Sequence, residues 1–291
     1  MMPASELPTA PPLFWRTSRR TLDLSGRPLI MGILNLTPDS FSDGGLWMDP
    51  ERAVAHAVAM AEEGADIIDL GGESTRPGAA PVSEDVESRR VMPVVELLAA
   101  RLNIPLSIDT TKSTVARRAL SVGAEIVNDI SGLTYDAGMA ETVAAGRAGL
   151  VIMHTRGRPE TMQHDTFYHS VVNEVLSGLA ASVRRALSAG ITLEQVVVDP
   201  GIGFGKDRAG NLELLRSLRE LLVLGRPLLV GTSRKGFTST AAGRTVANRL
   251  FTTAATVALA VANGARVLRV HDVAAMRDVA DMAWDSAGDR T

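Results

Sequence analysis

The stretch LIMGILNLTPDSFSDGGLWMDPERAVAHAVAMAEEGADIIDL, residues 29–70, holds one full repeat of the pattern that runs through the chain. It opens on an apolar run at 29–34 and closes on another at 67–70. Between them Val54, Ala57, Val58 and Ala61 fall at i, i+3, i+4 and i+7, which places four apolar side chains on one helix face. Gly64 follows, where a helix end favours a residue that takes positive φ without steric cost. Strands that are apolar throughout are buried on both faces, which implies a parallel sheet covered by helices.

The unit recurs. Further apolar runs lie at 104–108, 126–127, 150–153, 196–198, 228–230 and 267–270, and Gly123, Gly190 and Gly264 each precede the next run by a few residues. Within the fifth unit Val172, Val175, Leu176, Leu179, Val183 and Leu187 keep one face through four turns. Eight strand–helix units in about 260 residues match an α/β fold of the (β/α)8 TIM-barrel kind. An open, Rossmann-like sheet is the alternative. A short β-hairpin at 14–17 and 21–24 is expected to close the bottom of the barrel. Residues 1–12, with four prolines, read as a disordered tail, and 13–288 as a single barrel domain.

Composition narrows the function. The chain has 291 residues, is 45% hydrophobic and 22% charged, and sets 30 basic against 33 acidic residues for a net charge of −3. That balance gives no electrostatic footprint for nucleic acid or a lipid surface. The absence of cysteine excludes disulfides, a thiolate nucleophile and Cys-ligated zinc. No apolar run approaches the ~18 residues of a membrane span, and the N-terminus lacks the order of a secretory signal. A cytoplasmic enzyme acting on small molecules is expected.

In such a barrel, chemistry gathers at the C-terminal ends of the strands. Here those ends carry Asn35, Gly71 to Arg76, Asp109, Asn128 and Asp129, His154, Asp199, Ser233 to Lys235, and Arg269 with His271. Any one Asp or Asn after a strand is ordinarily a helix cap. Eight such ends converging on one mouth form a site. Two of the connections there, residues 37–50 and 72–83, lack periodicity and are long enough to act as lids or binding loops.

MGILNLTPDSFSDGG at 31–45, GADIIDLGGESTRPGA at 64–79, SIDT at 107–110, VNDISG at 127–132, DPGIGFGK at 199–206, SRK at 233–235 and RVHDV at 269–273 occur in this order. Together they resemble the dihydropteroate synthase family of pterin-binding enzymes over residues 31–273. The resemblance implies a transferase of folate biosynthesis. Its reaction joins 6-hydroxymethyl-7,8-dihydropterin diphosphate to 4-aminobenzoate and releases diphosphate and 7,8-dihydropteroate.

Residue by residue, the resemblance implies that Asp109, Asn128, Asp199 and Lys235 hold the pterin. A carboxylate suits a paired amino group and ring N–H, and Asn offers both a donor and an acceptor. Asn35, Thr75, Arg269 and His271 would hold the diphosphate, with Lys235, Asp109, Arg269 and His271 as the catalytic set. Arg269 and His271 flank Val270, so strand alternation puts both on one side. Phe41, Ser74, Thr75, Arg76, Pro77 and Phe237 would line the aminobenzoate pocket. Mg²⁺ would bind through Asn35, with diphosphate and water as its other ligands. A homodimer is expected, with the small-residue run at 252–262 compatible with its interface.

GIGFG at 201–205 is no nucleotide loop, lacking both phosphate-binding glycine spacings. The sequence departs from the family where Gly236-Phe237 follows Lys235 in place of Ser, and where TSTAAGRTVANRL at 238–250 is long and polar. Phe237 is therefore expected to narrow the site against bulky sulfonamides. Two other readings are a non-catalytic pterin-binding paralogue and a methyltransferase of the methyltetrahydrofolate type. The loops at 37–50 and 72–83 argue against the methyltransferase; the retained Asn35, Thr75, Arg76, Arg269 and His271 argue against the paralogue.

Overall fold

The computed structural model describes residues 14–37, 49–238 and 249–287. The tail expected at 1–12 and most of the first long loop, including Phe41, lie outside the described residues.

The chain begins with the hairpin β1 (Phe14–Arg16) and β2 (Thr21–Asp23). Then β3 (Leu29–Asn35), α1 (Pro50–Glu62), β4 (Ile67–Gly71), α2 (Glu84–Arg101), β5 (Leu106–Asp109) and α3 (Ser113–Val122) form three strand–helix units. They are followed by β6 (Ile126–Asp129), α4 (Met139–Gly146), β7 (Gly149–Met153), α5 (Val171–Ser188) and β8 (Val196–Asp199). The sixth helical segment is split into α6 (Arg208–Arg216) and α7 (Leu218–Leu221). The chain ends with β9 (Leu228–Val230), α8 (Leu250–Ala262), β10 (Ala265–Val270) and α9 (Val273–Ser286). Strands β3 to β10 run parallel and close into an eight-stranded barrel in which β10 pairs with β3. The barrel, not the open sheet, is the architecture.

Alternation along the strands explains the interior. Met31, Ile67, Ile126, Val151, Val197, Leu229 and Val267 point inward and pack with Trp15 and Leu24 of the hairpin into one cluster. The strand residues of opposite parity join the larger cluster beneath the helices, with Ile30, Ile68, Val127, Ile152, Val198 and Leu268 all fully buried. Trp15 plugs the floor, and its indole N–H donates to the Gln195 carbonyl at 2.8 Å. Glu125, just ahead of β6, ties the hairpin down: it accepts from Thr17 Oγ1 at 2.7 Å and pairs with Arg20 at 2.6 Å. No helix among the described residues is long and apolar enough to cross a membrane.

One layer above this apolar floor the period of two delivers a different set. Two residues on from Ile67, Ile126, Val197 and Val267 stand Asp69, Asn128, Asp199 and Arg269. The same parity that closes the floor therefore lifts polar side chains towards the C-terminal mouth. Trp15→Ala should open a cavity at the floor and cost about 3–5 kcal/mol. Urea unfolding monitored by far-ultraviolet circular dichroism measures it, and a loss below about 1 kcal/mol would contradict the plug.

Candidate active site

Arg269 organises the polar layer. Its Nε donates to Asp69 Oδ2 at 2.6 Å and its Nη2 to Asp109 Oδ2 at 2.7 Å, so one guanidinium links carboxylates from β4 and β5. Asn128 of β6 donates from Nδ2 to the same Asp69 Oδ2 at 3.1 Å. Register brings these groups together, for Asp109 lies opposite Asn128 on one side and Gly71 on the other. Asp199, at the end of β8, accepts the Gly201 N–H at 2.7 Å. Lys235, in the turn after β9, donates from Nζ to the Ile202 carbonyl and lies 4.6 Å from the centre of the Phe204 ring.

The electrostatics follow from burial. Desolvation raises the Asp109 carboxyl to about 7, with Arg269 opposing the shift and Asp69 adding to it. Burial also raises Asp199, against the attraction of Lys235. Burial lowers the Lys235 ammonium to about 8, while Asp199 holds it up and Arg269 presses it down. His271 is driven to about 3 by burial and by the cations Arg234 and Arg269. It acts as a neutral imidazole, with Nδ1 3.0 Å from Ser233 Oγ, so it offers the mouth a hydrogen bond and no charge.

Above the layer opens a cavity of about 1490 Å³. Its wall includes Asn35, Arg269, His271 and Lys235, together with Ser74, Thr75, Arg76 and Pro77. Asp109, Asn128 and Asp199 are not wall residues; they sit deeper, and Arg269 and Lys235 are their link to the open space. Phe237 lines the wall while packing into the main core, so most of its ring is committed to the interior. The rim is fastened from below. Glu73 accepts the Val82 N–H at 2.7 Å and pairs with Lys112 at 2.9 Å, and Lys112 also reaches the fully buried Glu87 at 2.6 Å. Gly78 N–H donates to the Pro159 carbonyl at 3.0 Å, docking this loop on the one after β7.

Two strand-end residues are structural. Asp129 accepts the N–H groups of Ser131 and Leu133, each at 2.8 Å, and so shapes a turn. His154 is half-buried and contacts Lys206 at 3.2 Å through Nδ1. The sequence reading missed Asp69, which it counted inside the apolar run 67–70. A signal was present, since an unpaired Asp is almost never fully buried. Lys206 and Asn211 were given no role either, although Lys206 closes the motif at 199–206; nothing local marks Asn211.

Among the described residues no group of three or more His, Asp or Glu could hold a metal ion. Asn35 puts a single carboxamide on the cavity wall. That donor set suits a cation that keeps most of its water and shares its remaining positions with substrate oxygens, as Mg²⁺ does.

A family profile described as pterin binding enzyme matches residues 31–271. The dihydropteroate synthase of Synechocystis sp. is 46% identical over 266 residues, covering 90% of this chain and 92% of that one. The Yersinia pestis dihydropteroate synthase, solved with a sulfonamide drug complex, superposes with a TM-score of 0.90 at 40% identity, covering 95% of this chain and 100% of that chain. The Xanthomonas albilineans dihydropteroate synthase, solved with 4-aminobenzoic acid, gives a TM-score of 0.87 at 44% identity, covering 94% and 97% respectively.

Asp109 makes a prediction about stability. Folded, it keeps its proton up to about 7; unfolded, it releases it in the ordinary carboxylate range near 4. Between those values the folded state binds more protons, so this group's contribution to stability falls as pH rises through the window. Asp109→Asn should flatten that slope, read as the difference between urea unfolding free energies at pH 5 and pH 7. An unchanged slope would contradict the shift.

Proposed function

The chain belongs to the pterin-binding enzyme family, among the dihydropteroate synthases, and from that premise we propose how its residues join 6-hydroxymethyl-7,8-dihydropterin diphosphate to 4-aminobenzoate. The observation that carries the proposal is the buried polar layer of Asp69, Asp109, Asn128, Asp199 and Arg269, set in an otherwise apolar barrel. Such a layer matches a flat heterocycle with donors and acceptors along one edge, and leaving any member unpaired costs roughly 1–3 kcal/mol.

Asp199 takes the pterin's 2-amino group and ring N–H, using the oxygen not engaged by Gly201. Asn128 spends one N–H on Asp69, which fixes the amide and leaves its oxygen and second N–H for the ring edge. Asp109 receives the far side of the ring. Lys235 donates to the ring carbonyl or N5, and its lowered affinity for a proton suits a group that shares one with a ring nitrogen.

Asn35, Thr75, Arg269 and His271 receive the diphosphate at the cavity wall. Asn35 would hold Mg²⁺, and the ion when bound would supply Lewis-acid stabilisation to the leaving diphosphate. Arg269 adds fixed positive charge where negative charge develops, and neutral His271 adds a hydrogen bond. The C–O bond breaks with its electron pair leaving on the diphosphate. The pterin methylene is left electron-poor, and the aminobenzoate nitrogen forms the new C–N bond and then releases a proton. No strong base is needed for so electrophilic a carbon.

Ser74, Thr75, Arg76 and Pro77 form the aminobenzoate side, with Phe237 at its edge; Phe41 lies outside the described residues. The enzyme works in the cytoplasm, as one barrel domain spanning 13–288. It works as a homodimer through the run at 252–262 of α8, a reading supported by the exposed apolar side chains Leu259 within that run, Phe251 beside it and Met282 of α9.

Asp199→Asn and Lys235→Met should each lower kcat/KM for the pterin substrate at least about tenfold, the equivalent of one lost buried contact. Dihydropteroate formation with both substrates and Mg²⁺ measures this, and wild-type turnover in both variants would refute the assignment. Phe237→Leu should increase inhibition by sulfamethoxazole. Equal inhibition of wild type and variant would remove Phe237 from drug discrimination.

A further inference from the structure

The GIGFG segment is left without a role by the reaction, and its geometry supplies one. Gly201 has φ +67°, and a Cβ there would lie 1.8 Å from the His154 carbonyl oxygen, so the loop lies directly on the backbone beyond β7. Gly203 has φ +88°, and a Cβ there would come within 2.8 Å of the Lys235 stem. The loop is thus a thin backbone sheet between the end of β7 on one side and Lys235 on the other.

Lys206 closes this loop from within. It is 2% exposed, and its Nζ lies 3.0 Å from the Gly201 carbonyl, 2.9 Å from the Phe204 carbonyl, and 3.2 Å and 3.3 Å from Nδ1 and the carbonyl of His154. An ammonium has three N–H groups, and all three are consumed by this cage. Although Lys206 borders the cavity, it has no donor left for a substrate oxygen. Asn211 of α6 holds the same loop from outside, accepting the Gly203 N–H at 2.6 Å and donating to the Lys206 carbonyl at 3.1 Å.

We infer that Lys206 is a positioning residue for pterin recognition: by caging the 201–205 loop it fixes the Gly201 N–H on Asp199, and the Ile202 carbonyl and Phe204 ring against Lys235. The two pterin-binding side chains come from different strands, β8 and the turn after β9, and this loop is their shared support. Nδ1 of His154 can take part only as a lone pair, so the ring is neutral with its proton on Nε2. Burial drives His154 to about 3, which keeps the imidazole an acceptor throughout the neutral range. Burial, with Lys235 and Arg156 nearby, lowers Lys206 to about 7, so the three-donor cage is complete below neutrality and loses one N–H as pH rises past it. The other charged groups acting on Lys206 are Asp199, Lys235 and Arg156.

The inference rests on the pterin assignment of Asp199 and Lys235, and the test separates the two. Steady-state kinetics on the full chain with Mg²⁺ compares wild type, Lys206→Met, Asp199→Asn and Lys235→Met, with Val183→Ala in α5 as a core-destabilised control. Lys206→Met should raise KM for the pterin diphosphate at least tenfold and move KM for aminobenzoate less than twofold. Its kcat/KM profile should lose activity at higher pH on the acid limb, because Asp199 has lost a stabilising cation. Lys206→Gln, which keeps two donors, is read in the same way if the Met variant does not fold, with a smaller shift expected.

Unchanged KM for the pterin substrate, or equal changes in both KM values matched by Val183→Ala, would overturn the positioning role. If Asp199→Asn and Lys235→Met also leave the pterin KM unchanged, the pterin assignment falls. If those two raise it and Lys206→Met does not, only the inference falls.

Discussion

A guanidinium shared between two buried carboxylates is the contact on which the upper half of the barrel depends. Arg269 reaches from β10 to Asp69 and Asp109, on the second and third strands of the barrel. Removing either partner would strand charge in a medium that solvates it poorly, a loss of several kcal/mol. Burial is the main reason Asp109 holds its proton more tightly, with the neighbouring Asp69 adding to the effect and Arg269 opposing it. Asn128 is oriented by the Asp69 oxygen that Arg269 also holds. The rotamers facing the cavity are therefore set by contacts one layer down.

This arrangement divides the barrel by depth. The floor is apolar and plugged by Trp15, and it contributes stability without chemistry. The polar layer above it is rigid because every strand in it is tied to neighbours on both sides. The rim is carried by connections, of which residues 72–83 are pinned by the Glu73–Lys112–Glu87 cluster and the 201–205 loop by Lys206 and Asn211. A substrate edge needing fixed partners meets the layer, while a variable or mobile group meets the rim.

Much of this was legible without coordinates. Apolar runs of two to six residues alternating with helical spacing implied a parallel sheet, and their number favoured closure. The polar residues at strand ends stood out because a core has no use for them. Asp69 escaped notice because it lies inside such an end-to-end apolar run, where only its inward parity reveals it. Asp129 stood out equally well and proved to be a turn former, since an Asp that caps backbone N–H groups looks the same in sequence as one that binds a ligand. Lys206 and Asn211 act through backbone carbonyls and amides, which carry no residue identity.

The sequence alone therefore determined the alternation of parallel strands and helices and which residue types stand at the strand ends, because periodicity and strand polarity are local properties of the chain; closure into a barrel came from the β10–β3 pairing. Tertiary structure alone decided how those residues are shared. It joined Arg269 to two acids 160 and 200 positions away, kept His271 neutral, and placed the GIGFG loop between His154 and Lys235. The physical reason is that pairing, desolvation and close backbone approach depend on distances across the barrel, and spacing along the chain does not encode them.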